Sequence, residues 1–495
     1  MYGERLRCKS LMGRVMTAEE AASLVKDGMV VGMSGFTRAG DVKAIPQALA
    51  DQAKERPLKI TLMTGASTSE YCDSPLAEAG LIARRLPFMA DAKLRAQINA
   101  GEVMFIDQHL SQTAEMLRAR HLPKIDLAIL EVLAIQEDGS LVPTTSIGNS
   151  ASFALLADQV IVEINLAQPA ALEGMHDIYI PGDRPNRKPI PLVHLQDRLG
   201  STSIPIDPAK IVGIVITDKP DTDAYLPLPD DNTKAIAGQL IEFLRFEVQK
   251  GRLPKILPPL QSGVGATANA VLHGFLEAGF SSLTMYSEVL QDAVFTLFDE
   301  GKMDFASCTS ITLSSKVHQE VTDHLERYRS KVVFRPQEIS NHPEIVRRLG
   351  VIAINAALDV DIYGNVNSTH VLGTHMMNGI GGSGDFARNS LLSIFVTSSL
   401  AKAGKISCIV PMVPHVDHCE HDVDIIITEQ GLADLRGLAP RERAPLIIEH
   451  CSHPDYKDYL RDYFKEACKK GGHTPHILQE AFAFYNRYMQ TGSMR

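Results

Sequence analysis

The sequence predicts an α/β protein made of two similar domains with mainly parallel sheets, and three observations predict it. Apolar strands alternate with helical segments along most of the 495 residues, and parallel crossovers need helical connections. Strands such as Ile211-Val-Gly-Ile-Val-Ile216 are almost continuously apolar, as expected where both faces of a sheet are covered. The third observation is a repeat: strand, glycine turn, helix, strand and polar site follow one another once in each half.

In the first half, strand Met29–Ser34 leads into the turn Gly35-Phe-Thr-Arg-Ala-Gly40 and a helical pattern through Ala50. Strand Leu58–Met63 follows and ends in Thr64-Gly-Ala-Ser67. In the second half, strand Ile256–Leu260 enters Gln261-Ser-Gly-Val-Gly265, then a helix from about Thr267 to Ala278. Strand Leu283–Tyr286 then ends at Ser287-Glu288. Four further pairs extend the parallel: Gly101–Ile106 with Gly301–Ala306, Asp126–Gly139 with Val351–Gly364, Val160–Ile164 with Ile406–Val410, and Ile211–Thr217 with Asp424–Thr428. Five matches in one order point to a duplicated domain. The boundary is placed in the Pro- and Asp-rich stretch 218–232, which shows no period. The domains are therefore taken as residues 1–220 and 221–495, the second ending in a helical cap from about His453. A site between two similar lobes is the default expectation.

Bulk properties narrow the function. A formal charge of −10, with 45% apolar and 22% charged residues, argues against a general nucleic-acid or anionic-membrane surface. No apolar run reaches the length of a membrane span. The seven scattered cysteines suit reduced thiols rather than a disulfide frame. The basic N-terminus (Arg5, Arg7, Lys9, Arg14) lacks the apolar core of a secretory signal. A cytoplasmic location is expected, with a short mitochondrial-type presequence as the weaker reading.

Glu288 is the first candidate for chemistry. It follows a buried-type strand, and in open α/β sheets reactive groups gather at the carboxyl ends of strands. Gln261–Gly265 enters a helix N-terminus, where unpaired N–H groups favour a negative ligand. The loop Asn378-Gly-Ile-Gly-Gly-Ser-Gly-Asp-Phe386 has the spacing of a dinucleotide fingerprint, but no acid stands between Asp385 and Asp417 to hold a ribose. Its glycines serve either a tight connection needing positive φ or the approach of backbone N–H groups to an oxyanion. The cluster His415-Val-Asp-His-Cys-Glu-His421 has metal-ligand residue types, yet one short segment rarely supplies a whole shell. It is read as a polar loop lining the site, with no metal. Glu131 and Glu429 are read as hydrogen-bonded structural acids, and no serine-hydrolase elbow occurs.

Several motifs in fixed order resemble the acetyl-CoA hydrolase/transferase family across essentially the whole chain. They are Ser34–Thr37, Thr64–Ser67, Gln261–Gly265, Tyr286–Asp292, Arg335-Pro-Gln-Glu-Ile-Ser-Asn341, Asn378–Phe386 and Thr428–Gly437. Within the family they are most similar to bacterial succinyl-CoA:acetate CoA-transferases. The resemblance implies two CoA-transferase-type (NagB/RpiA-like) domains and a homodimer. It implies that Glu288 is a nucleophile forming a glutamyl-CoA thioester, with oxyanion donors at the Val264 and Gly382 N–H groups. It further implies that Asn341 and Glu429 assist carboxylate placement, and that Gln261, Ser262, Gly263, Val264, Gly265, Asn378, Gly382 and Lys402 contact CoA. The implied partners are acyl-CoA and small carboxylates, with CoA as substrate and covalent intermediate and with neither metal nor cofactor. Propionyl-CoA:succinate transfer, acetyl-CoA hydrolysis and a non-catalytic sensor of CoA or sugar phosphate are the alternatives. The chain departs from the pattern at Lys219-Pro-Asp-Thr-Asp223, where some members are Arg-rich, and Val289-Leu290 replaces the Glu-x-Gly of other CoA-transferases.

Overall fold

A computed structural model of the chain describes residues 2–226 and 228–495. Met1 and Pro227, the latter inside the expected boundary stretch, lie outside the described residues. Two large sheets form the frame. The first holds β1 (Val30–Met33), β2 (Ile60–Met63), β3 (Ile82–Leu86), β4 (Met104–Phe105), β5 (Leu127–Val132), β6 (Gln159–Asn165) and β7 (Ile211–Thr217). Its spatial order is β4-β3-β2-β1-β5-β6-β7, and its pairings are parallel.

The second sheet holds β8 (Leu260–Ser262), β9 (Leu283–Tyr286), β10 (Met303–Cys308), β11 (Val332–Phe334), β12 (Ile352–Ala356), β13 (Leu392–Val396), β14 (Ile425–Thr428) and β15 (Gly431–Asp434). Its order, β11-β10-β9-β8-β12-β13-β14-β15, repeats the first sheet strand for strand and adds an antiparallel edge strand, β15. The duplication is thus present in the topology. Two of the sequence pairings are corrected by it. Gly101–Ile106 contains β4, whose counterpart is β11 rather than β10, and β6 corresponds to β13 rather than to Ile406–Val410. Residues 406–410 instead form two short strands outside the large sheets.

Local chemistry sets the element ends. The first helix, Ala18–Ser23, opens on a capping box in which Thr17 accepts from the Glu20 N–H and the Glu20 carboxylate accepts from the Thr17 N–H. Helix Asp231–Gln249 is capped by the Asp230 carboxylate. The expected helix after Gly265 runs over Ala266–His273 and tightens into a 3₁₀ turn at Gly274–Leu276. Strand β5 is buried at all six positions, which accounts for its unbroken apolar run apart from Glu131. Glu131 is a structural acid, as expected: Lys43 Nζ at 2.5 Å, Thr144 Oγ1 at 2.8 Å and Asn165 Nδ2 at 2.8 Å donate to it.

By packing, the chain forms two compact units. One comprises residues 1–225, 285–295 and 304–349; the other comprises 226–284, 296–303 and 350–495. The first break falls near the expected boundary, while the segments 285–295 and 304–349 pack with the N-terminal residues. The second unit contains the helices Pro440–Cys451, Pro454–Lys470 and Ala483–Thr491, whose buried faces join a core including Phe395, Ile426, Leu460 and Phe484. Among the described residues no helix is long and apolar enough to cross a membrane, and the seven cysteines are free thiols.

Candidate active site

Glu288 lies just beyond the end of β9, in the first unit, and is only 6% exposed. Its backbone is fixed on both sides. The Ser287 N–H donates to Ser307 O, and the Glu288 carbonyl accepts from the N–H groups of Thr309 and Ser310 at 2.8 and 3.0 Å. Val289-Leu290 then pairs in parallel with Ser310-Ile311. Val289 is buried with Phe36, Ala66 and Leu110, so the residue after the glutamate anchors it in an apolar cluster. The carboxylate is held from the side: Asn341 Nδ2 donates to Glu288 Oε1 at 2.9 Å.

The segment that carries Asn341 is built to be rigid. Arg335 is fully buried and reaches Asp177 at 3.0 Å, Ser307 Oγ at 2.6 Å and Leu195 O at 3.0 Å. Gln337 donates from its side chain to Leu110 O at 2.8 Å and from its N–H to Gly148 O at 2.9 Å. Glu338 receives both guanidinium nitrogens of Arg118, at 3.2 and 2.7 Å. Burial pushes the Glu338 carboxyl up, and Arg118 opposes that rise. Tyr286 OH donates to Ile339 O. His342 accepts from Arg187 Nη2 at 2.8 Å, and burial, reinforced by that guanidinium, lowers its pKa to about 4. Residues 335–342 are thus pinned at almost every position, and Asn341 arrives at Glu288 with little freedom.

The two N-terminal motifs belong to the same unit. Thr37 N–H donates to Ala66 O at 2.8 Å, and Gly65 N–H to Gly35 O at 3.2 Å. A Cβ at residue 65 would stand 2.5 Å from that carbonyl oxygen, so only glycine permits this approach. Ser310, whose own N–H is one of the two on the Glu288 carbonyl, also donates from Oγ to Phe36 O at 2.9 Å. Arg118, Arg187 and Ser310 were not singled out from the sequence. Arg118 and Arg187 carry no local signal there, because their partners lie 220 and 155 positions away.

The remaining candidates lie in the second unit. Gln261 is buried, and its amide is used internally, donating to Asn355 Oδ1 and accepting from the Ile354 N–H, both at 3.2 Å. Gly263 N–H donates to Ile354 O at 3.0 Å, Val264 is 51% exposed, and Gly265 has φ +119°. Asn378 Nδ2 donates to Gly379 O at 2.9 Å. Gly382 is buried and caps the short helix Ser383–Ala387. Lys402 is exposed in the turn joining strands Leu400–Ala401 and Ile406–Ser407, with φ +50°. Glu429 accepts from Ser399 N–H at 2.8 Å and from Ser399 Oγ. Burial favours its neutral form, but the Ser399 hydrogen bonds outweigh it and hold the carboxyl below its ordinary range.

The His415–His421 cluster does not gather into a metal shell: among the described residues no group of three His, Cys, Asp or Glu side chains is arranged to hold an ion. Lys219, in the stretch that departs from the family pattern, sits 5.7 Å from the centre of the Tyr71 ring.

Comparison with known proteins decides the lineage. The N-terminal domain model of the acetyl-CoA hydrolase/transferase family matches residues 4–216, and its C-terminal domain model matches residues 318–464. This chain belongs to the acetyl-CoA hydrolase/transferase family. It is 52% identical over 495 residues to the succinyl-CoA:acetate CoA-transferase of Clostridium kluyveri, covering 99% of this chain and 92% of that protein. It is 46% identical to the propanoyl-CoA:succinate CoA transferase of Escherichia coli, covering 97% and 98%. It is also 44% identical to the acetyl-CoA hydrolase of Saccharomyces cerevisiae, covering 99% and 97%. In fold it is similar to RipA from Yersinia pestis (TM-score 0.71, 23% identity, 94% of this chain and 98% of that chain). It is also similar to 4-hydroxybutyrate CoA-transferase from Porphyromonas gingivalis (TM-score 0.63, 21% identity, 94% and 100%). Like its family, this chain is an enzyme acting on acyl-CoA.

Proposed function

We propose that the enzyme moves CoA between small carboxylates, with succinyl-CoA and acetate as the first pair, through a thioester on Glu288. The observation that carries this reading is the buried Glu288 carboxylate, fixed through Oε1 by Asn341, in a chain of this family. In water a carboxylate is a poor nucleophile because hydration stabilises the anion; enclosure removes that shell. A carboxylate oxygen of Glu288 attacks the thioester carbonyl of the donor, and the C–S bond breaks to release CoA thiolate and leave an acyl-glutamyl anhydride. The thiolate then attacks the glutamyl carbonyl, the donor leaves as its carboxylate, and glutamyl-CoA remains. An incoming carboxylate attacks that thioester and expels CoA thiolate again. The thiolate takes the new acyl group from the anhydride and frees Glu288.

Each tetrahedral step develops an oxyanion, for which the N–H groups of Val264 and Gly382 are the proposed donors. One such donor is worth about 3 kcal/mol of barrier. Gln261–Gly265, Asn378 and Lys402 are proposed to meet CoA, and Glu429 to help place the carboxylate. The sequence of steps calls on no metal or redox cofactor. Cytoplasmic location and a homodimer complete the proposal.

Two observations favour other substrates. The relative named for propanoyl-CoA:succinate transfer is 46% identical. Several fungal relatives at 42–44% identity are named acetyl-CoA hydrolases, which on this scheme would resolve glutamyl-CoA with water. The decisive experiment is intact-mass analysis after mixing with succinyl-CoA and no acceptor. A CoA adduct that reduces onto Glu288 with borohydride and is absent from Glu288→Ala supports the assignment; full transfer by Glu288→Ala overturns it. CoA release measured with and without acetate or succinate separates transfer from hydrolysis.

A further inference from the structure

The histidine-rich segment has a bracing use in the fold. His418 is 2% exposed, its ring lies 4.8 Å from that of Phe395, and its Nε2 is 3.1 Å from Ser383 Oγ. Ser383 has one hydroxyl hydrogen, and it is directed at Ile380 O, 2.8 Å away. We assign the hydrogen to Nε2 of His418 on this basis, with the histidine as the donor. Ser368 Oγ, also near Nε2 at 3.4 Å, has an acceptor in Asp417 Oδ2 at 3.3 Å. His418 itself is locked by backbone: its N–H donates to Val366 O at 3.1 Å, and its carbonyl accepts from Val366 N–H at 2.8 Å.

The neighbouring residues extend the brace. Asp417 accepts from Ser368 N–H at 2.6 Å and from Thr369 Oγ1 at 2.9 Å. Thr369 O accepts from Met377 N–H at 2.8 Å, and Ser368 O accepts from Asn378 Nδ2 at 3.4 Å. The loop so held is Gly379-Ile-Gly-Gly-Ser-Gly384, in which only Ile380 and Ser383 have side chains. A glycine run loses the most conformational entropy on ordering. Ser383 is the one polar handle by which side chains can fix it.

We propose that His418 is a positioning residue: through Ser383 it holds the Ile380–Gly384 backbone in the form in which the Gly382 N–H serves acyl transfer. This rests on the proposed role of Gly382 and adds the element that sets its direction. His418→Leu removes the donor, and Ser383→Ala removes its acceptor without touching the histidine. In both, kcat falls about 10- to 100-fold while KM for succinyl-CoA stays within about threefold, as for a group acting on the transition state. The single-turnover rate of CoA adduct formation on Glu288 falls in parallel. The double variant is no worse than either single one, because both break one hydrogen bond. His418→Gln, whose Nε2–H stands near the position of the ring Nε2–H, recovers most of the activity.

Unchanged kcat in folded Ser383→Ala, additive losses in the double variant, or equal damage from Gln and Leu at position 418 would each overturn the inference. So would loss of activity on chelation with return on adding zinc. If His418→Leu fails to fold, Ser383→Ala carries the test. Failure of the underlying assignment shows separately: Glu288→Ala would retain transfer, whatever the His418 variants do.

Discussion

At the scale of single residues, the Asn341–Glu288 contact is the most exposed to test. Asn341→Ala deletes a hydrogen bond to a carboxylate, a contact of about 1.5–3 kcal/mol, so kcat/KM should fall roughly 10- to 100-fold. Asn341→Asp keeps the shape and places a second carboxyl against the first. It should lower the rate further and move the acidic limb of the pH–rate profile upward, because like charges raise each other's pKa; steady-state profiles of both variants check this. Two histidines of the first unit give a stability prediction. His176 is fully buried with Nε2 2.8 Å from Thr144 O, and burial lowers its pKa to about 4, as it does for His342. The unfolded chain takes up both protons below about pH 6.5 and the folded chain only near pH 4, so stability is full above that window and is lost as pH falls through it. Each contributes about 3 kcal/mol over the whole window. In the second unit burial raises Asp359 and Asp361 to about 6, which acts in the opposite direction. The clean measurement is therefore the difference in denaturant midpoint between parent and His342→Gln, at pH 7.5 and at pH 5. The variant should lose less stability on acidification.

At the scale of elements, the segment 335–342 works as a preset mount for the site. Arg335→Met would leave Asp177, 1% exposed, without its charge partner. Removing one member of a buried pair costs about 3–5 kcal/mol, so the first unit should melt early, in a scan followed by calorimetry. What could be read from the sequence also sorts by element. Glu288 was legible because a carboxylate straight after an apolar strand is a local signal. Asn341 came only with the family motif, since a contact spanning 53 residues leaves no periodic trace. The repeat was read correctly at β1, β2, β5 and β7, where mostly apolar strands carry it. It slipped at β4 because Gly101 and Gly301 are both positive-φ residues closing a helix, and any helix-to-strand junction looks alike on that signal. It slipped at Ile406–Val410 because an apolar run reports burial and not membership of a particular sheet. The histidine cluster was read as a polar loop, but what it holds could not be read. Its residue types suit a metal, while its partners, serines and a threonine in distant loops, are visible only after folding.

At the scale of the whole molecule, the sequence shows two copies in tandem, yet the compact units are not two consecutive stretches. The first unit takes residues 285–295 and 304–349 in addition to residues 1–225. Those segments supply Val289, Phe334 and Arg335, all buried within it. A fragment of residues 1–225 should therefore lack a cooperative thermal transition and bind a hydrophobic dye, although it contains the whole first sheet; a sharp transition with native-like circular dichroism would contradict this. The same arrangement governs how such proteins can exchange parts. Because Glu288 and its mount are encoded in the second half but packed in the first unit, a hybrid gene joined at residue 220 between two relatives would pair each first-half core with foreign counterparts of Val289, Phe334 and Arg335. Hybrids that move 285–295 and 304–349 together with the N-terminal half would keep those faces matched. In this chain the inherited unit and the folded unit are different objects.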